Sequence, residues 1–234
     1  MNRFAIGDIH GCSKTLKKLI EKIDLKKEDK LYLLGDLINK GPDSKGVIDY
    51  ILKLQEQGYK VEAVRGNHDQ KLLDVQKGNI NGKWGTELQL KVTLESFSVS
   101  DPFSIPGKYL TFLASLPYYM ELDCFFLVHA GFNFNTKDLF LDKPAMLDIK
   151  RYTPIPGKLH GKIILQGHIP TKFEITQAMV KQKAPVIKLD TGCVYYNAPG
   201  MGILTALDLD TFKLSTQENI DKPHCEGIYR FFNE

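Results

Sequence analysis

From Arg3 to Val64 the chain alternates short apolar runs with longer amphipathic ones, and this alternation restricts the fold more than any other feature. Arg3 to Gly7 reads as a buried strand; behind Ser13, a suitable N-cap, Leu16, Leu19, Ile20 and Ile23 recur at helical spacing. The unit repeats. Lys30 to Leu34 is strand-like, Gly41-Pro42-Asp43-Ser44 forms a turn and cap, and Val47, Ile48, Ile51 and Leu54 mark a second helical stripe before Val61 to Val64 opens a third unit. Strand–helix–strand crossovers are right-handed and bury a largely parallel sheet under helices, so this half is expected to be α/β.

From Asn79 to Leu116 the pattern turns helical, with Leu90, Leu94 and Phe97, then Tyr109, Phe112, Leu113 and Leu116 at helical intervals. Strand-like runs return at Phe125 to Val128, Ile163 to Gln166, Val186 to Leu189 and Ile203 to Leu209, which are expected to form a second sheet. Residues 133–160, rich in Asn, Asp, Lys and Pro, read as a long loop region. With 234 residues and 43% hydrophobic content, a single domain over 1–234 is expected.

Net charge decides little, and no nucleic-acid duplex is expected as partner. The formal net charge is only +3, and the densest basic stretch, Lys14 to Lys27, interleaves lysines with the apolar stripe of the first helix, as a solvated helix face does. Cys12, Cys124, Cys193 and Cys225 form no Cys-x-x-Cys pair, and the first residues carry no export signal, so a reducing cytoplasm is expected, with no membrane contact. A cysteine nucleophile with an arginine six positions on is missing, as is a Gly-x-x-x-x-Gly-Lys-Ser/Thr phosphate loop.

The chemistry lies where the apolar runs stop. Asp8 and His10 follow the first strand, Asp36 the second, Asn67 and His68 the third, His129 a later one and His168 another, with a glycine within two residues of each. Carboxylate, amide oxygen and imidazole together suit Mn²⁺, Fe or Zn²⁺ better than the all-oxygen shells of Ca²⁺ or Mg²⁺. Any one of these residues alone is more often a turn, a cap or a hydrogen-bonded histidine; the ordered set points to a metal site.

Gly-Asp-Ile-His-Gly, Gly-Asp-Leu-Ile-Asn-Lys-Gly, Arg-Gly-Asn-His-Asp, His-Ala-Gly and Gly-His together resemble the phosphoprotein phosphatase family of calcineurin-like metallophosphoesterases. Within it they are most similar to small bacterial serine/threonine phosphatases and to symmetrical dinucleoside tetraphosphatases. The resemblance implies two mixed β-sheets in a sandwich flanked by helices. It also implies two divalent metals, manganese first, with iron or zinc as alternatives. Asp8, His10 and Asp36 would hold one, and the bridging Asp36 with Asn67, His129 and His168 the other. Such a pair, about 3.5 to 4 Å apart, makes hydroxide available for in-line attack on phosphorus. His68 would be the general acid, with Arg65 gripping phosphate.

The same resemblance exposes departures. Asn39 stands where the family pattern has the Asp that pairs with the catalytic His, Lys40 where it has Arg, and Asp69 where it often has Glu. A neutral Asn orients an imidazole without stabilising its charged form, and Lys lacks the planar fork of Arg. Arg151 is a further phosphate-binding candidate, and Asp190-Thr191-Gly192-Cys193 reads as scaffold. The expected activity is a protein phosphatase acting on phosphoserine, phosphothreonine or phosphotyrosine. The alternatives are a dinucleoside polyphosphate hydrolase and a weakly catalytic phosphate-binding module. The expected partner is a phosphorylated protein or a small phosphoester.

Overall fold

A computed structural model describes residues 1–78 and 86–221. The start of the helical stretch expected from Asn79, and Cys225, lie outside these residues.

Strand β1 (Arg3–Ile6) leads to helix α1 (Ser13–Lys22), β2 (Lys30–Leu33) to α2 (Ser44–Glu56), and β3 (Lys60–Ala63) to α3 (Asn67–Gln76). Next come α4 (Glu87–Ser96), α5 (Gly107–Ser115), β4 (Tyr119–Glu121), β5 (Phe125–Val128) and α6 (Lys143–Asp148). The described chain ends with β6 (Ile163–Gln166), α7 (Phe173–Lys181), β7 (Val186–Lys188), β8 (Ile203–Asp208) and β9 (Leu214–Glu218). The expected strand–helix alternation of the N-terminal half is present.

One sheet runs β3-β2-β1-β8-β9 and the other β4-β5-β6-β7. Both are mixed: β1, β2 and β3 are parallel, as are β5, β6 and β7, with antiparallel strands at the margins. The run Ile203 to Leu209, expected in the second sheet, instead joins the first, where β8 pairs antiparallel with β1 in the register Ala5↔Leu207. An apolar strand buried on both faces carries no mark of which sheet it enters; here the hairpin with β9 and the edge left open on β1 decide.

Successive side chains of a strand face opposite ways, and the cores follow that rule. Ala5, Tyr32 and Leu207 of the first sheet pack with Phe125, Leu127, Leu165 and Ile187 of the second, forming the layer between them. Phe4, Ile6, Leu31 and Leu33 face the helices, meeting Leu16, Val47, Ile51, Leu72 and Leu113. Phe126, Val128 and Ile164 form a third cluster with Phe132, Leu139, Met146 and Leu159. The stretch 133–160 is therefore not all loop: it contains α6, six residues long and too short to show a helical period, and it covers the outer face of the second sheet.

Ser13 is the first residue of α1 rather than its cap. Its hydroxyl donates to Asp43 Oδ2 at 2.5 Å, and the N-cap residue Cys12 makes no side-chain cap bond. Asp221 supplies the cap from the far end of the described chain, accepting from the backbone N–H groups of Lys14 and Thr15 and from the Thr15 hydroxyl. No helix among the described residues is long and apolar enough to cross a membrane.

Candidate metal centre

Parallel strands end at one edge of a sheet, and here two sheets contribute such edges to one place. Asp8 and His10 follow β1, Asp36 follows β2, Asn67 follows β3, His129 follows β5 and His168 follows β6. All but His168 are buried. The loops meet closely enough that a side chain on the intervening glycines would collide: a Cβ on Gly66 would lie 2.1 Å from Asp36 N, and one on Gly167 2.0 Å from Asp8 Oδ1. His10, Asp36, Asn39, Lys40 and His168 all take left-handed backbone, with φ between 48° and 72°. L-residues adopt that region at a cost of about 1 to 3 kcal/mol, and such strain gathers at functional sites.

Asp36 is the hub. His10 Nε2 lies 3.5 Å from Asp36 Oδ2 and 3.8 Å from Asp8 Oδ2; His129 Nε2 lies 3.5 Å from Asp36 Oδ1. Two groups, His10–Asp36–His68 and Asp8–Asp36–His129, each bring three ligand atoms within 4.8 Å of one another, and Asp36 belongs to both. Backbone carbonyls fix the rings: Ile38 O is 3.2 Å from His10 Nδ1 and Leu34 O is 2.8 Å from His129 Nδ1. With Nδ1–H donating to these oxygens, each Nε2 lone pair is left facing the carboxylates, as in metal-ligating histidines.

The Asn67 side-chain oxygen lies 3.0 Å from His129 Nε2 and 3.1 and 3.2 Å from the two Asp36 oxygens. Turning the amide over would let its NH₂ donate to all three. Either end of the amide can face this cluster, so Asn67 can donate to it or offer its oxygen to a cation shared there. Burial pushes the Asp36 carboxyl up to about 6, opposed by Lys40 and by the His68 N–H, and burial with the charges of Asp190 and Asp36 pushes Asp8 well above the carboxylate range. Burial also drives His10 and His68 well below the usual imidazole value, and His129 and His168 down to about 4 and 3. Neutral imidazoles beside carboxylates that lack solvation are donors suited to a divalent cation.

Asn39 Nδ2 lies 2.8 Å from His68 Nδ1, while Asn39 Oδ1 accepts from Lys40 N and from Thr93 Oγ1. The amide therefore donates to Nδ1, and neutral His68 carries its proton on Nε2, the nitrogen 4.0 Å from Asp36 Oδ2. Lys40 Nζ sits 2.7 Å from His10 Nε2 and above the Tyr195 ring, so its flexible chain must withdraw before a cation can use that lone pair. Asp69 joins two ligand loops, accepting from Leu37 N through Oδ1 and from Gly66 N through Oδ2.

Arg65, expected to grip phosphate, is buried beside α3 and α5, its Nε without a hydrogen-bond partner among the described residues. Its Nη atoms donate to Gln70 Oε1, the Tyr118 hydroxyl and the carbonyls of Ala114 and Leu116. Those two carbonyls belong to the C-terminal end of α5, where unsatisfied oxygens attract a cation. Arg151, expected at the substrate, is exposed three residues beyond the end of α6.

The sequence profile described as calcineurin-like phosphoesterase matches residues 1–206. The chain belongs to that family. As a calcineurin-like phosphoesterase it is a hydrolase, and the two donor groups around Asp36 stand where a dinuclear divalent centre is expected. A symmetrical bis(5'-nucleosyl)-tetraphosphatase of Nitrosomonas europaea is 35% identical over 132 residues, covering 56% of this phosphoesterase and 45% of the relative. The chain thus spans less than half the length of that curated relative. A crystal structure of a proposed diadenosine tetraphosphatase superposes with a TM-score of 0.62 at 24% identity, covering 93% of each chain. A serine/threonine phosphatase from Saccharomyces cerevisiae also reaches a TM-score of 0.62, at 17% identity over 96% of this chain and 82% of that one. These two likenesses show the fold alone.

Three residues that the sequence reading left out stand near the centre of this phosphoesterase. Lys71 acts electrostatically on Asp36, His68 and His129. Its position three and four residues after His68 and Asn67 on α3 could have pointed to it. Asp148, at the end of α6, reaches within 3.5 Å of His168 Nε2. Asp190, read as scaffold, is buried, accepts from Gly192 N and bears on Asp8 through its charge.

Proposed function

We propose that this phosphoesterase hydrolyses dinucleoside tetraphosphates at the central anhydride, releasing two nucleoside diphosphates, with residues 1–234 acting as one domain. The convergence of His10, Asn67 and His129 on the buried Asp36 supports the reaction. The likeness to symmetrical tetraphosphatases supports the substrate.

In this reading Asp8, His10 and Asp36 hold one cation, and Asp36, Asn67, His129 and His168 the other, with Mn²⁺ preferred. When bound, such a pair supplies Lewis acidity and makes hydroxide available near neutral pH. The remaining work falls to the chain itself. Asp69 keeps the loops after β2 and β3 in register. Neutral His68 can donate a hydrogen bond from Nε2 to the leaving oxygen, and full proton transfer to it would come from the imidazolium form.

Asn39 favours an anhydride over a phosphoserine. An alkoxide leaving group needs full protonation as it departs, which calls for a strong, charge-supported acid. The neutral Asn39 amide donates to His68 Nδ1 and so opposes a second proton there. A departing nucleoside diphosphate is a weak base that needs little proton transfer, so a weakened His68 costs it little. The protein phosphatase reading keeps the support of fold alone.

The test strips the protein of metal, restores Mn²⁺ and compares diadenosine tetraphosphate, a phosphothreonine peptide and p-nitrophenyl phosphate, with Asp36→Asn as control. The expected result is preferred cleavage of the tetraphosphate to ADP alone, absent in the variant. Preference for the phosphopeptide would overturn the substrate assignment. No turnover of any substrate would favour a phosphate-binding module.

A further inference from the structure

Beyond the centre itself, α3 and α6 lie at its mouth. One turn after Asn67 and His68, α3 presents Lys71, which is half-buried and bears on Asp36, His68 and His129. Helix α6 is about 9 Å long and is anchored over the β5 loop by the bond from Ala130 N to Met146 O. At its start Lys143 stands 5.1 Å from the centre of the Tyr118 ring, whose hydroxyl meets Gln70 on α3. At its end Asp148 faces His168. Lys71 thus stands on the side of His68, while the side of His168 carries Asp148 together with Lys150, which bears on the same imidazole. Among the described residues neither Asp74 nor Asp142 forms an ion pair with Lys71 or Lys143: Asp74 accepts from Gln70 Nε2, and Asp142 from Ala145 N and Asn133 Nδ2.

We infer that Lys71 and Lys143, the latter steadied against Tyr118, form a cationic shelf that holds the leaving diphosphate of a polyphosphate substrate. This rests on the substrate reading above and adds to it the direction in which the substrate lies. His68 marks the leaving-group side, and Lys71 is the next residue outward on that face of α3. A tetraphosphate cut at its centre places two phosphates beyond the broken bond, whereas a simple aryl phosphate places none. Two ammonium groups suit a flexible phosphate chain, since each binds as a point charge without demanding one orientation.

The experiment uses the Mn²⁺-loaded protein with Lys71→Gln, Lys143→Gln and the double variant. It measures kcat/KM for diadenosine tetraphosphate and for p-nitrophenyl phosphate, and the inhibition of aryl phosphate hydrolysis by ADP. Each substitution is expected to lower the tetraphosphate-to-aryl ratio about tenfold and to weaken ADP inhibition by a similar factor. Lys→Arg variants should restore most of both. The salt dependence of tetraphosphate KM should flatten in the double variant. An unchanged ratio together with unchanged ADP inhibition in the double variant would overturn the shelf. If the wild type cleaves the aryl ester but not the tetraphosphate, the substrate reading fails. ADP inhibition lost on substitution would then still support the shelf.

Discussion

His68 shows how one neighbouring atom tunes a site. Burial and then the charge of Lys40 hold its imidazole well below its ordinary value, and Asn39 adds a donor at Nδ1 where a carboxylate would accept. Replacing Asn39 by Asp supplies that acceptor and raises the His68 pKa. Each unit of rise is worth about tenfold in the balance between its protonation states. The alkaline limb of the pH–rate profile should therefore move upward in Asn39→Asp, because the acid keeps its proton to higher pH. The ratio of phosphothreonine-peptide to p-nitrophenyl phosphate turnover should rise about tenfold. An unchanged ratio would mean that His68 does not protonate the leaving group. At this scale the sequence was legible where residue type and position coincide: Asp8, His10, Asp36, Asn67, His129 and His168 each follow a strand, and the fold gathers them. For Arg65 the residue type leaves the partner open, because a guanidinium binds phosphate or the carbonyls ending α5; the path of the chain adds the carbonyls of Ala114 and Leu116, which no local pattern announces.

Among the elements, α1 depends on a residue that its own sequence gives no hint of. Its first N–H groups would lack partners without Asp221, which lies beyond β9 and takes three hydrogen bonds from Lys14 and Thr15. Asp221→Ala should lower the unfolding free energy by about 2 kcal/mol, read from the urea midpoint at constant slope. A change below about 0.5 kcal/mol would show that water replaces the cap. The failure to foresee this cap has the same origin as the misplacement of β8. Local pattern gives the type of an element, as in the stripe Leu16, Leu19 and Ile20, but a partner 206 residues away leaves no local trace. Strand β8 was recognisable as a strand; its place beside β1 follows from which sheet edge was free. Helix α6 was missed because six residues hold fewer than two turns.

For the whole molecule, the arrangement of the two sheets explains why ligands far apart in sequence meet. The layer of Ala5, Tyr32, Phe125, Leu127 and Leu165 holds the sheets face to face, so the ends of β1, β2 and β3 meet those of β5 and β6. Buried carboxyls pushed up and imidazoles pushed down are the cost of that convergence when no cation shares it. The account's central claim is that this convergence holds two divalent ions through one shared carboxylate. Elemental analysis of Mn²⁺-reconstituted protein after gel filtration tests it most directly, with Asp36→Asn and His168→Ala alongside. The account predicts two ions per chain in the wild type, loss of both in Asp36→Asn and retention of one in His168→Ala. One ion or none in the wild type, or two in Asp36→Asn, would contradict it.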